Sequence, residues 1–165
     1  MKTNNQNQVM LLVHAAMIAA LYVVLTFIAN ALGLASSAIQ IRFSEALTIL
    51  PYFTPAAIPG LFIGCLLSNV MTGCALPDII FGSLATLIGA IFTRKLRRYK
   101  WLAPIPPILS NAVIVPFVLL YAYGIKPLWF SFVTVTAGEI ISCGVLGMIL
   151  LFSLQKYANR IFTVQ

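Results

Sequence analysis

Five stretches of the chain are apolar almost without interruption, and the polar residues collect between them. The first, Val9 to about Leu34, is broken only by His14, Thr26 and Asn30. The second, about Ser44 to Met71, carries Pro51, Pro55 and Pro59, and Asp78–Thr93, Leu102–Tyr123 and Pro127–Leu154 follow. A bilayer core takes roughly 20 residues of helix, so the pattern predicts membrane-spanning helices. The last stretch exceeds that length, which implies tilt or protrusion. Residues 1–8 form a short polar tail. The run behind it is too long for the apolar region of a signal peptide and lacks a small-residue cleavage site, so it is expected to stay on as the first membrane helix.

Charge placement decides how often the second stretch crosses. Arg94, Lys95, Arg97, Arg98 and Lys100 form a dense basic cluster, Lys2 lies in the tail, and Lys156 and Arg160 follow the last stretch. The positive-inside rule assigns all three groups to the cytoplasm. A single crossing would put tail and cluster on opposite sides. Two crossings give six spans, both termini in the cytoplasm, and eight of the ten basic residues inside. The break is expected at Pro51-Tyr52-Phe53-Thr54-Pro55, where fixed φ angles and missing N–H donors interrupt a helix. Its two halves would hold roughly 12 and 16 residues, about 18 and 24 Å of helix, short of the ~30 Å core. Such helices need others around their ends. The expectation is an all-α integral membrane protein, one compact domain over residues 1–165.

Composition narrows the class further. Of 165 residues, 61% are hydrophobic and 8% charged, with a mean hydropathy of +1.03. Soluble domains give about a quarter of their residues to charge, which excludes a water-soluble globular enzyme, and a disordered chain needs low hydrophobicity. The net charge of +7 is explained by orientation, and no basic patch interleaved with aromatics points to nucleic acid. Cys65, Cys74 and Cys143 lack ligand spacing and read as small buried hydrophobes. His14 is a lone imidazole. No metal or cofactor is expected.

The minority charge sign carries the candidate chemistry. Glu139 lies about 18 Å along its helix from Pro127, near mid-bilayer, on a face with Phe132, Val135, Thr136, Ser142 and Cys143. Ionisable groups inside a membrane are costly and usually face a cavity or partner. Glu139 is therefore read as ligand-binding, with a carboxyl tied to a neighbouring helix as the alternative. Glu45 and Asp78 stand at expected helix starts on the outer side; complementing the helix dipole would account for either, and ligand contact is equally open. Asn111 and Asn69 have two readings, a ligand or another helix. Arg42 either closes an external loop on Glu45 or contacts a ligand. Trp129 belongs to an interfacial aromatic belt with Trp101, Tyr121 and Tyr123, with stacking on a bound ring as its second reading. The loop Gly33–Ile41 is a candidate outer gate. In the first span Ala15 with Ala19 and Ala16 with Ala20 form two small-xxx-small pairs, repeated by Gly60 and Gly64, and such pairs serve packing within the chain or docking of another protein.

Several motifs are absent. The chain has no GxxxxGK[ST] phosphate loop, so ATP hydrolysis by this chain is not expected. It has no GxSxG or HExxH and no inverted repeat of the kind secondary transporters use. Two other classes stay open, a membrane-embedded enzyme using Glu139 as acid or base and a membrane assembly protein.

Four blocks, IQIRFSEALTILPYFTPAAIPGLFIG at Ile39–Gly64, PDIIFGSLATLIGA at Pro77–Ala90, APIPPILSNA at Ala103–Ala112 and GEIISCGVLG at Gly138–Gly147, resemble the QueT family. These are queuosine-precursor transporters, substrate-binding S components of energy-coupling factor (ECF) transporters. The resemblance implies a six-helix S component of the cytoplasmic membrane that captures a 7-deazaguanine base, such as the aminomethyl-deazaguanine precursor or queuine, from outside. It implies toppling in the membrane for delivery, driven by a transmembrane coupling subunit and two ATPase subunits, so the chain itself is not an enzyme. The doubled Ala-xxx-Ala resembles the motif by which S components dock, which assigns Ala15, Ala16, Ala19 and Ala20 to that role. For this substrate class Glu139 and Glu45 are the expected acceptors: a carboxylate takes two adjacent N–H donors, and a second offsets the desolvation of an exocyclic ammonium. Asp78 and Asn111 support them, Asn69 and Arg42 are further contacts, and Trp129 or Tyr52 is available to stack on the ring. The alternatives are an S component for another nucleobase-like or vitamin-like ring, or a non-transport assembly protein.

Overall fold

The structure is a computed structural model that describes residues 2–34 and 40–162; residues 35–39 of the expected gate loop lie outside the described residues. Every regular element among the described residues is helical. Helix α1 (Lys2–Ala31) starts within the polar tail, because extending an established helix adds one hydrogen bond for each residue fixed. A 3₁₀ helix (Phe43–Tyr52), α2 (Ala57–Met71) and α3 (Leu76–Lys95) follow. Helix α4 (Ile105–Tyr123) is entered through a 3₁₀ turn at Lys100–Leu102. The last long helix changes winding along its course: α5 (Leu128–Glu139), a π-helical segment (Ile140–Leu146) and α6 (Gly147–Gln155). A short α7 (Ala158–Ile161) closes the chain.

Among the described residues, four stretches are long and apolar enough to cross a membrane, Asn5–Ala31, Leu76–Lys95, Lys100–Tyr123 and Leu128–Gln155, and α2 is a shorter apolar helix. The proline break falls between Tyr52 and Ala57, where it was expected. The half in front of it is wound as a 3₁₀ helix of ten residues, which at a rise of ~2.0 Å per residue reaches about 20 Å. Runs of 3₁₀ helix this long are uncommon. Here Ser44 through Pro51 are all buried, with α1, α2, α3, α6 and the π segment packed around them. The element expected as the second span is thus the axis of the bundle.

Close packing of α1 on α2 follows from the small residues. A Cβ at Gly60 would lie 2.7 Å from the Ala15 carbonyl oxygen, and one at Gly64 would lie 2.8 Å from Tyr22 Cβ. Ala15 and Ala19 are buried in this seam, whereas Ala16 and Ala20 are exposed. Large apolar side chains, among them Leu12, Met17, Ile63, Phe81, Phe117 and Ile149, are exposed around the bundle, a surface that lipid would cover. One end of the bundle is basic. Arg94 there donates to the carbonyls of Pro51 and Tyr52 at 3.3 and 3.4 Å. Phe162 stacks on Phe53 with centroids 5.5 Å apart and meets His14 edge-on at 6.1 Å. The first half of α1, the basic cluster and the C-terminal residues therefore share that end.

Candidate binding site

Two buried glutamates meet in the middle of the bundle. Glu45, in the first turn of the 3₁₀ helix, is 1% exposed, and Glu139, the last residue of α5, is 8% exposed. Asn111 of α4 bridges them, its Nδ2 donating to Glu139 Oε1 at 3.0 Å and reaching Glu45 Oε2 at 3.4 Å. The other Glu45 oxygen accepts a short hydrogen bond from the hydroxyl of Tyr22, a buried residue of α1. Glu139 stands where α winding gives way to π winding, a local irregularity that recurs at functional sites. One turn on, Cys143 Sγ lies 3.0 Å from Glu139 Oε2 and 3.4 Å from the Glu45 carbonyl, alternative acceptors for its single S–H, with Thr48 Oγ1 at 3.3 Å. The ligand atoms of Glu45, Glu139 and Cys143 all lie within 4.8 Å of one another, close enough to share one cation, organic or metallic.

Of two nearby compartments, the smaller is walled by this pair and the larger by neither glutamate. A niche of about 20 Å³ is walled by Glu45, Glu139, Asn111, Thr86, Gln40 and Arg42, among others. A cavity of about 260 Å³ is walled by Tyr22, Gln40, Arg42, Ser44, Asn69, Asp78 and Tyr123, among others. It lies between the ends of α1, α2 and α4 and the start of α3, opposite the basic cluster. Gln40 and Arg42 line both compartments. A single water needs about 10–15 Å³ and small-ligand pockets begin near 300 Å³, so the niche takes one small group and the cavity a small ring.

Asp78 is in the first turn of α3 and does more than complement a dipole. Its Oδ2 accepts from the Tyr123 hydroxyl at 3.1 Å, and its carbonyl accepts from Asn69 at 3.4 Å. Arg42 lines the niche beside Glu45 and also the larger cavity, which Asp78 borders. Ser44 Oγ is buried and makes no hydrogen bond among the described residues.

The fold thus gathers Glu45, Glu139, Asn111, Asp78, Asn69 and Arg42 around two spaces that share Gln40 and Arg42 as walls. It does not bring the two stacking candidates there. Tyr52 lies at the basic end beside Arg97, Arg98 and Phe162, edge-on to Phe53. Trp129 is 66% exposed and packs against Phe130. Sequence reasoning passed over Tyr22 and Thr48, took Ser44 only as the start of a helix, placed Cys143 on the Glu139 face but read it as a small buried hydrophobe, and left Tyr123 as a belt residue. A signal for Tyr22 existed: the buried stripe Ala15, Ile18, Ala19, Tyr22 is one helical face at the spacing i, i+3, i+4, i+7, so the small-residue seam already pointed to it.

The family model described as the QueT transporter matches residues 12–156. A curated relative, the queuosine precursor transporter QueT of Lactococcus lactis subsp. cremoris, is 36% identical over 95 residues, which is 54% of this chain. The chain spans 56% of the length of that relative. No solved structure matches the chain. With most of its length matched by the family model, this multi-pass helical chain belongs to the QueT transporter family.

Proposed function

We propose that the chain is the substrate-binding S component of an ECF-type importer, taking up a 7-deazaguanine base such as the aminomethyl-deazaguanine precursor or queuine. The observation that carries the substrate class is the Glu45–Glu139 pair bridged by Asn111 beside a cavity of about 260 Å³. Two carboxylates and an amide suit a ring with adjacent N–H donors and an ammonium group, and suit an anionic vitamin poorly. The Lactococcus relative's name, queuosine precursor transporter, supports the same class.

In this reading the basic end faces the cytoplasm, both termini lie there, and six helical segments count as spans, two of them short. The cavity then opens to the outside of the cell membrane. ATP hydrolysis falls to two partner ATPases, and a transmembrane coupling subunit docks on α1. Of the four alanines, Ala16 and Ala20 are exposed for that contact, while Ala15 and Ala19 serve the seam with α2. Calorimetric titration of the purified chain with deazaguanine bases, guanine and common vitamins tests the substrate class. Saturable binding of a deazaguanine is expected. A flat response to every base would remove the claim.

A further inference from the structure

We infer that the two compartments hold two parts of one ligand: a planar ring in the larger cavity, hydrogen-bonded to Ser44 and Asp78, and a cationic arm in the niche between Glu45 and Glu139. This orientation rests on the substrate class proposed above and adds to it a direction of binding and a new contact residue, Ser44.

Size separates the parts first. The niche, about 20 Å³, admits a group no larger than a water or an ammonium, whereas the neighbouring cavity is about 260 Å³. The chemistry of the walls then assigns them. The charged residues walling the niche are Glu45, Glu139 and one cation, Arg42, so two carboxyl groups stand against a single guanidinium, and an ammonium brings three donors and a second positive charge. Ser44 borders the cavity and is fully buried, and its hydroxyl has no hydrogen-bond partner among the described residues. Buried hydroxyls are nearly always paired, so an occupant of the cavity is its expected partner. Shared walls set the two spaces side by side. Ser44 and Glu45 are consecutive residues of one 3₁₀ turn, and they line one compartment each. Gln40 and Arg42 border both, so a ligand reaching from Ser44 to Glu45 passes alongside that segment.

The test is calorimetric titration of the purified full chain with 7-aminomethyl-7-deazaguanine and with 7-deazaguanine, which lacks the arm. The parent is expected to prefer the aminomethyl base by about 10-fold or more, the worth of a charge-assisted hydrogen bond. Glu139→Gln is expected to shrink that preference to within about threefold. Ser44→Ala is expected to weaken both bases by roughly fivefold and leave their ratio unchanged. Thermal unfolding without ligand establishes that each variant is folded, and Glu45→Gln stands in should Glu139→Gln not fold. The orientation is overturned, with the substrate class intact, by an unchanged ratio in the glutamine variants or by Ser44→Ala binding both bases like the parent. Failure of the parent to bind either base removes the substrate class and the orientation with it.

Discussion

Glu45 spends its two oxygens on different partners, Tyr22 on one side and Asn111 on the other. That arrangement aims the carboxylate, and a double-mutant cycle measures how much the aim matters. Tyr22→Phe is expected to weaken binding of a deazaguanine base by about 10-fold or more, the loss of one hydrogen bond to a charged group. In a Glu45→Gln background the same change is expected to cost far less, since residues sharing one network couple by about 0.5–3 kcal/mol. Free energies that simply added would exclude the positioning role. Part of this site was legible from residue type. Glu139, Glu45 and Asn111 stood out because polar atoms in an apolar run must find partners. Tyr22, Thr48 and Cys143 did not, since each is at home in a core whether or not its polar atom serves a ligand. Trp129 and Tyr52 were legible as aromatics, but whether a ring meets a cavity depends on which way its helix face turns.

At the scale of elements, two close approaches set the site. The seam between α1 and α2 depends on Gly60 and Gly64, and it fixes how deep Tyr22 sits. Gly64→Ala would place a Cβ 2.8 Å from Tyr22 Cβ and 3.0 Å from Ala19 Cα. It is expected to destabilise the protein by about 1–3 kcal/mol, the usual effect of overpacking, seen as a lower unfolding temperature in detergent. Ala20→Leu, on the exposed side of the same helix, is expected to stay within about 0.5 kcal/mol. Equal effects from the two would mean that the seam is loose. The second approach is between Gly138 and the Gln40 backbone, whose carbonyl a Cβ at Gly138 would strike. Since Gln40 borders both compartments, Gly138→Ala is expected to weaken base binding by roughly tenfold or more. Gly144→Ala, whose nearest contacts would be 3.8 Å away, is the comparison, and similar affinities for the two variants would count against this account. The proline break was legible because ring constraints act locally. The 3₁₀ and π windings were not, because they answer to what packs around them.

The dense basic cluster lies at one end of the molecule, and the three acids lie toward the middle and the other end. Labelling of single cysteines in intact cells, with the native cysteines replaced, tests the proposed orientation. Lys126→Cys is expected to react with a membrane-impermeant maleimide from outside, and Lys100→Cys only after permeabilisation. The reverse pattern would invert the molecule and place the 260 Å³ cavity on the cytoplasmic side.

Hydropathy and charge act residue by residue through transfer from water to lipid, a free energy that accumulates along the chain with little regard to neighbours. For that reason the sequence alone determined the membrane class, the helical segments, the proline break and the small set of polar residues worth attention. What faces what is a different quantity. It depends on helix rotation, on winding that departs from 3.6 residues per turn and on how closely two backbones approach. Only the tertiary structure decided that the second span is a buried 3₁₀ axis, that Ala15 and Ala19 face inward while Ala16 and Ala20 face out, and that Tyr22, Asn111 and Cys143 converge on two glutamates 94 positions apart in the chain.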